Sequence, residues 1–200
     1  MPPSPASSWL VVGLGNPDER YESTFHNMGF VVADVLARRG RDPGDRWRRK
    51  FSGRILEIGI GRRRVCILKP WTYMNLSGES VGPAAGMLGV SLDRIVVVHD
   101  DLDLSPGDVR VKVAGGSGGH KGLESCIRHL GGPGFARVRI GIGRHERMPA
   151  ERYVLSRIPE AWRDLFASAA ERAADAATAV VEKGAAPAMN EFNRRERDEG

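Results

Sequence analysis

The sequence predicts a single α/β domain in which a mixed, twisted sheet is sandwiched between helices. Short apolar runs typical of buried strands alternate along the chain with stretches in which apolar residues recur at helical spacing. Two strand-like runs are separated only by Gly61-Arg62-Arg63, which favours a hairpin and therefore one antiparallel pair in the sheet. A length of 200 residues suits one domain with a substantial core.

The first half of the chain contains three predicted strands, each a short run with strand character: residues 9–14, 52–60 and 64–68. Two stretches show helical spacing. The first covers residues 26–40, where Thr24 can provide the cap, and the second covers residues 79–88, with Gly89 ending the helix. Residues 41–50 are polar and basic and are predicted to be a connector.

The second half repeats the alternation, with predicted strands at residues 94–98, 109–113 and 138–142. Helical spacing covers residues 123–130 and returns in the stretch 159–181, where one face carries an apolar set: Trp162, Leu165, Phe166, Ala169 and Ala173. Met189 and Phe192 are predicted to form a short extra turn. The long helix either packs against the core or helps to grip a polyanionic partner through Arg163 and Arg172.

Residues 9–193 are predicted to form the domain, between a disordered leader at 1–8 and a charged tail at 194–200. The leader lacks the basic start and apolar stretch of a secretory signal. No apolar run approaches the roughly 20 residues of a membrane span. Cys66 and Cys126 lack the spacing of a disulfide framework or zinc site. We therefore expect a cytoplasmic protein.

The charge balance favours a polyanionic partner. The chain has 30 Lys and Arg against 25 Asp and Glu, a net charge of +5, and 25 of the cations are arginine. Guanidinium groups bind phosphate in a bidentate manner. An arginine-rich but ordinary solvated surface explains the same composition equally well.

Polar residues follow four of the predicted strands: Asn16, Asn75, His99-Asp100 and the stretch from Gly115 to His120. Ligands of open α/β sheets bind beyond the carboxyl ends of the strands, so these clusters predict one site.

His26 is a candidate general base because it stands at the beginning of a predicted helix, where a neutral imidazole is favoured over imidazolium. If Asp100 reaches its other ring nitrogen, the pair has the base and the orienting carboxylate of a hydrolytic triad, with water as the nucleophile. Asn16 and Asn75 offer amides that hold a peptide group or a developing oxyanion. The alternative is that all four residues are structural, at helix starts and turns.

Three other motifs give weaker predictions. Gly13-Leu14-Gly15 begins a dinucleotide fingerprint, but Asp18 replaces its third glycine. Ser117 is the centre of a GxSxG match inside a glycine run, where a backbone cradle is at least as good an interpretation as a nucleophile. A metal site built from His99, Asp100, Asp101, Asp103 and His120 lacks a recognised ligand pattern.

Several motifs, in order and correctly spaced, resemble the bacterial peptidyl-tRNA hydrolase family over about residues 9–190. They are Gly13-Leu14-Gly15-Asn16-Pro17, Thr24-Phe25-His26-Asn27-Met28-Gly29, Lys69-Pro70-Trp71-Thr72-Tyr73-Met74-Asn75-Leu76-Ser77-Gly78, His99-Asp100-Asp101-Leu102-Asp103-Leu104, Gly118-Gly119-His120-Lys121-Gly122-Leu123 and Arg139-Ile140-Gly141-Ile142-Gly143. The resemblance implies a monomeric enzyme, without metal or cofactor, that cleaves the ester joining a peptide to the 3′ end of tRNA.

The resemblance also implies a role for each site residue. His26 would be the general base and Asp100 its orienter, Asn16 would select substrates with a blocked α-amino group, and Asn75 would hold the peptide backbone and the water. The remaining residues would bind substrate: Tyr21 and Tyr73 along the channel near the tRNA end, and Lys112 and Arg139 at the tRNA 5′ phosphate. Lys121 stands where the family commonly has asparagine, and a cation there would contact the tRNA backbone.

Two other functions are compatible with parts of the sequence. A non-catalytic RNA-binding relative of the same fold would bind tRNA without releasing it. A general small-ester hydrolase would need no cationic surface, so the arginine excess disfavours it.

Overall fold

The computed structural model describes residues 8–194, which fold into a mixed seven-stranded sheet and six α-helices. The strands are β1 Ser8–Gly13, β2 Arg48–Lys50, β3 Gly53–Ile60, β4 Arg63–Pro70, β5 Ile95–Asp101, β6 Val109–Val113 and β7 Ala136–Gly141. The helices are α1 Met28–Gly40, α2 Ser77–Leu88, α3 Lys121–Leu130, α4 Ala150–Tyr153, α5 Arg163–Lys183 and α6 Ala185–Phe192.

The strand order is β2-β3-β4-β1-β5-β7-β6. Strands β4, β1, β5 and β7 are parallel, whereas β2, β3 and β6 join by antiparallel pairing. The predicted hairpin is confirmed, because β3 and β4 pair antiparallel around Gly61. The carboxyl ends of the four parallel strands therefore meet at one edge of the sheet.

Helices cover both faces of the sheet, which confirms the predicted sandwich. In β1 the alternating residues separate cleanly: Val11 belongs to the core beneath α1 and α5, and Leu10 and Val12 to the core beneath α2 and α3. The alanines of α5 are buried against the first of these cores, so this helix packs on the sheet. Leu165 is an exception to the predicted apolar face, being 41% exposed.

Helix α1 is seated directly on the end of β1. A Cβ on Gly29 would lie 2.4 Å from the Leu14 amide nitrogen and 2.5 Å from the Val98 carbonyl oxygen. Only a residue without a side chain allows so close an approach of helix and strand. This contact fixes the residues just before α1 against the carboxyl ends of β1 and β5.

Three local predictions were wrong. Arg48–Lys50 pairs with β3 as a short edge strand, although its three cations gave no strand pattern. Asp100 lies within β5 instead of after it. The Thr24 hydroxyl donates to the Tyr21 carbonyl at 2.7 Å and makes no cap bond to the residues that follow.

The predicted leader and tail lie almost wholly outside the described residues. Ser8, placed in the leader by the sequence analysis, is the first residue of β1. Both cysteines are free and buried, and burial raises the pKa of the Cys66 thiol to about 11. No helix within residues 8–194 is long and apolar enough to cross a membrane.

Candidate active site

A cleft of about 910 Å³ opens at the carboxyl ends of the parallel strands. All nine residues predicted for the site line it: Asn16, Tyr21, His26, Tyr73, Asn75, Asp100, Lys112, Lys121 and Arg139. The clusters predicted to converge are thus brought together, from strand ends that are far apart in sequence.

His26 and Asp100 form the centre of the cleft. His26 lies in a short 3₁₀ turn, Phe25–Asn27, that precedes α1, and its amide donates to the Val154 carbonyl at 2.9 Å. Its Nδ1 lies 2.9 and 3.0 Å from the two Asp100 carboxylate oxygens. Because Nδ1 donates its proton to the carboxylate, Nε2 carries the lone pair that a general base needs.

A second imidazole contacts the same carboxylate. His120 Nδ1 accepts from the amides of Gly122 and Leu123 at the beginning of α3. Its Nε2 therefore bears the proton and donates to Asp100 Oδ1 at 3.1 Å. The rings of His26 and His120 lie 4.9 Å apart.

Asp100 is buried, and burial by itself would raise the pKa of its carboxyl. Hydrogen bonds from both rings, and attraction to either ring in its protonated form, outweigh burial and hold that pKa far below its usual range. The Asp100 carboxyl is therefore ionised at neutral pH. Its charge stabilises an imidazolium that forms beside it.

A third imidazole, that of His99, contacts the Asp100 backbone and the His120 ring. Its Nδ1 lies 2.7 Å from the Asp100 backbone carbonyl, and the ring packs edge-on against His120 at 5.0 Å. Burial lowers the pKa of His99 to about 3. His99 is thus a neutral packing group whose Nε2 has no partner within residues 8–194.

Three side chains of the site have the ligand types of a metal centre, but their hydrogen bonding does not favour one. Within the described chain, His26, Asp100 and His120 are the group whose ligand atoms come within 4.8 Å of one another. The imidazole nitrogens that face Asp100 both carry protons that they donate to it, so neither offers a lone pair there. The site is organised for proton transfer.

Three hydrogen bonds fix Asn16, two through its backbone and one through its side chain. Its amide nitrogen donates to Asn27 Oδ1 at 2.8 Å, while Asn27 Nδ2 donates to the Asn16 carbonyl at 3.0 Å. The Asn16 side-chain oxygen accepts from the Met74 amide at 2.9 Å. Since Oδ1 is occupied, the side chain presents its Nδ2 as a donor to the cleft.

Asn75 and Tyr73 lie at the mouth of the cleft. Both side chains are exposed, that of Tyr73 to 52%. Asn75 lies in the 3₁₀ turn Met74–Leu76, which directly precedes α2. The Met74 amide bound to Asn16 anchors this turn. Ser117, the alternative nucleophile, accepts from the Gly119 amide, and no imidazole bonds to it in the described residues.

Cations gather on the side of the cleft formed by β6 and β7. Lys112 is exposed, and Arg139 Nε donates to Asp101 at 2.7 Å. Arg137 is buried and donates to the Gly116 carbonyl at 2.6 Å and also to that of Gly115. Arg137 thus fixes the position of the glycine-rich loop that leads to His120.

Lys121 projects from the first turn of α3 and is exposed. Its Nζ lies 3.6 Å from the Glu124 carboxylate, a weak contact between two solvated groups. It lines the cleft between His120 and the cations of β6 and β7.

Sequence reasoning missed three residues of the site. His120 was placed in a cluster predicted to converge on the site and weighed as a metal ligand, but it was given no role beside Asp100, and Asn27 and Arg137 were not singled out. His120 and Asn27 belong to the same motifs as Lys121 and His26, so motif membership was the available signal. Arg137 gave a signal only in its position two residues before Arg139, on the same face of β7.

Comparisons with known proteins identify the family of this chain. The sequence model described as peptidyl-tRNA hydrolase matches residues 10–199. A peptidyl-tRNA hydrolase of Anaeromyxobacter dehalogenans is 49% identical over 189 residues, covering 94% of this chain and 97% of that protein. One from Geobacillus thermodenitrificans is 44% identical over 190 residues, covering 92% and 98%.

A solved structure is similar over the same length. The crystal structure of peptidyl-tRNA hydrolase from Acinetobacter baumannii superposes with a TM-score of 0.84 and 36% sequence identity, covering 94% of this chain and 95% of that chain.

Proposed function

The chain belongs to the peptidyl-tRNA hydrolase family, and we propose that His26 is the general base with which it cleaves the ester between peptide and tRNA. The enzyme hydrolyses peptidyl-tRNA and so returns free tRNA and peptide for reuse during translation. The observation that carries the proposal is the His26 Nδ1 to Asp100 contact at 2.9 Å, inside a cleft lined by every other predicted site residue.

The reaction follows from the protonation states of the two rings. His26 Nε2 takes a proton from a water molecule, and the hydroxide oxygen forms a bond to the ester carbonyl carbon. Asp100 stabilises the imidazolium formed at that moment. When the tetrahedral intermediate collapses, the ester C–O bond breaks, and the imidazolium returns its proton to the departing 3′ oxygen of the tRNA.

Asn16 and Asn75 account for selectivity towards blocked substrates. We propose that Asn16 Nδ2 donates to the carbonyl of the peptide bond next to the ester, and that Asn75 binds the peptide backbone and orients the water. An unblocked α-amino group is cationic and offers no acceptor, so it would leave a buried donor without a partner.

The tRNA is held through its phosphates and shape. Lys112 and Arg139 are proposed to bind the 5′ phosphate, Lys121 to contact the backbone, and Tyr21 and Tyr73 to line the path of the 3′ end. The substrate class includes many tRNAs, so base readout is not needed. We propose that the protein acts as a monomer in the cytoplasm.

Turnover of N-acetylaminoacyl-tRNA against unblocked aminoacyl-tRNA tests the proposal directly. The wild-type chain should cleave the blocked substrate strongly and the unblocked one weakly. His26→Ala should lower kcat by roughly 10²–10⁴-fold with little change in tRNA affinity. His145→Ala, which removes an exposed imidazole, is the matched control.

Two results would refute the assignment. Unchanged turnover in His26→Ala would remove this residue from the chemistry. Binding of tRNA without release by the wild-type chain would instead favour the non-catalytic relative, which the paired His26 and Asp100 disfavour.

A further inference from the structure

The topology determines on which side of the site the peptide must lie, given the proposed function. The ester is placed by His26 and Asp100, at the ends of β1 and β5. The phosphate-binding cations stand on one side, on β6 and β7, and β4 and β3 lie on the other. If the RNA occupies the first side, the peptide extends from the ester towards the second.

A flat aromatic and cationic surface stands on that second side. Trp71 directly follows β4 and is 38% exposed. Its ring stacks parallel to Phe30 of α1 at 5.9 Å, and the Arg54 guanidinium lies 3.9 Å from its centroid. The Trp71 amide donates to the Ser52 carbonyl at 2.9 Å, which ties this residue to the turn between β2 and β3. We call Arg49, Arg54 and Trp71 the cationic shelf.

The backbone of that turn is strained. Phe51 and Ser52 have φ angles of 56° and 47°, in the left-handed region that favours glycine or asparagine. Such strain persists only where the surrounding structure imposes it. The turn therefore holds β2 and β3, and with them the shelf, at the end of the sheet that bears the cleft.

No carboxylate of the described residues neutralises the charges of the shelf. Arg49 is directly opposite Arg54, and Arg54 is directly opposite Lys69, so three cations lie in a row across β2, β3 and β4 on one face. Lys69 pairs with Asp34 at 2.7 Å. Within residues 8–194, no carboxylate lies within 4.0 Å of Arg49 or Arg54.

The opposite face of the same strands shows the contrast. There Arg48 and Arg64 share the Glu57 carboxylate, each at 2.7 Å. Like charges directly opposite each other in a sheet are destabilising. An unneutralised pair of arginines beside a stacked tryptophan is therefore suited to an external anion, such as a carboxylate, together with an apolar or aromatic group.

We propose that the cationic shelf binds the peptide part of peptidyl-tRNA and makes the enzyme favour peptides with acidic side chains near the ester. The shelf acts on KM through attraction to a carboxylate and through stacking on Trp71. It takes no part in the chemical step, which belongs to His26. RNA is the other polyanion available, but the shelf lies across the ester from the phosphate-binding cations.

The test uses peptidyl-tRNAs that share one tRNA and one ester-linked residue. A single Glu or Lys is placed at successive positions away from the ester in an otherwise neutral, N-acetylated peptide. For the best position, kcat/KM should be about two- to five-fold higher with Glu than with Lys, and the ratio should fall as salt rises. The position of the maximum measures the distance from ester to shelf.

Variants assign the preference to the shelf. Arg54→Gln should bring the Glu to Lys ratio close to one, and Arg54→Glu should invert it. Arg62→Gln removes an exposed cation in the turn between β3 and β4, at the ends of these strands that lie away from the cleft. This variant should keep the wild-type ratio. Circular dichroism of each variant checks that the fold is retained.

The outcomes separate this inference from the function on which it rests. If no substrate is cleaved, the proposed function fails. If all are cleaved with equal kcat/KM, the shelf proposal is overturned and the function stands. If Arg54→Gln weakens binding of deacylated tRNA more than Arg62→Gln does, the shelf binds RNA and the peptide proposal is also overturned.

Discussion

At the scale of single residues, Asp100 is the group on which both rings of the site depend. Its Oδ1 accepts hydrogen bonds from His26 Nδ1 and His120 Nε2, and its Oδ2 lies 3.0 Å from the same His26 Nδ1. In Asp100→Asn, the amide NH₂ faces one imidazole N–H, so one ring must change its tautomer.

Asp100→Asn should therefore lower kcat by roughly 10²–10⁴-fold while KM for N-acetylaminoacyl-tRNA changes little. Single-turnover measurements give the chemical step directly. Asp93→Asn, at an exposed carboxylate, is the matched control and should behave as wild type. A loss confined to KM would show that Asp100 acts in binding and not through His26.

His99 should make the stability of the fold depend on pH. In the unfolded chain its pKa is near 6.5, and in the folded protein burial lowers that pKa to about 3. Between these values the unfolded chain binds a proton that the folded protein does not. Stability is therefore lost as the pH falls through about 6.5.

The comparison is with His99→Asn, whose amide can replace the Nδ1 donor to the Asp100 carbonyl. Between about pH 7 and about pH 5, wild type should lose about 2 kcal/mol more unfolding free energy than this variant. Urea denaturation at the two pH values measures the difference. Equal losses would mean that His99 is protonated in the folded state, and His145→Asn serves as the exposed-histidine control.

At the scale of elements, the close contact between α1 and β1 positions His26, the proposed general base. His26 stands three residues before Gly29, whose missing Cβ admits the backbone of Leu14 and Val98. Gly29→Ala places a methyl group against backbone atoms that cannot rotate away. It should destabilise the fold by about 1–3 kcal/mol and reduce turnover, because the turn containing His26 is displaced.

Gly86→Ala provides the control for this substitution. Gly86 lies within α2, and an added methyl group there would meet no atom within 4 Å outside its local helix. Alanine is the better helix former, so stability should rise by about 0.5–1 kcal/mol with activity retained. Thermal unfolding of both variants measures the difference, and a neutral Gly29→Ala would contradict the close seating of α1.

Elements with strong periodicity were predictable from sequence, and those made by tertiary pairing were not. Strand β6 was predicted with its observed bounds, since Val109, Val111 and Val113 alternate with polar residues. Strand β2 was missed because its three cations give no apolar signal. Its strand structure comes from pairing with β3 at the edge of the sheet. A short edge strand does not need apolar side chains, because it is not buried in the core.

The convergence of the nine predicted residues on one cleft was predictable from sequence, but their hydrogen bonding was not. Convergence at the carboxyl ends of parallel strands brought His26 and Asp100 together from positions 74 apart in sequence. The second imidazole on Asp100 was not predictable, because the tautomer of His120 is set by the amides of Gly122 and Leu123 once α3 has formed. No sequence pattern encodes which ring nitrogen faces the cleft.

At the scale of the whole molecule, two groups of cations lie on opposite sides of β1 and β5. Lys112 and Arg139 belong to the side of β6 and β7, where a second cavity adds Arg110, Arg172 and Arg194. Helix α5 therefore both packs on the core and supplies Arg172 to this basic surface. The cationic shelf lies at the same edge of the sheet but on the other side of β1 and β5, by strands β2, β3 and β4.

This division predicts how salt acts on tRNA binding. Each phosphate contact releases condensed counterions, so the affinity for deacylated tRNA should fall steeply between roughly 50 and 200 mM salt. Lys112→Gln removes one contact on the phosphate side and should weaken binding at low salt. It should also reduce the slope of log affinity against log salt by about one.

Arg62→Gln changes the net charge by the same amount at the hairpin tip, far from the cleft, and should keep the wild-type slope. Titrations of labelled deacylated tRNA at a series of salt concentrations give both slopes. If the two variants shift the slope equally, the tRNA senses only the total charge of +5 and not a phosphate-binding face. If only Lys112→Gln shifts it, the β6 and β7 side of the cleft holds the RNA.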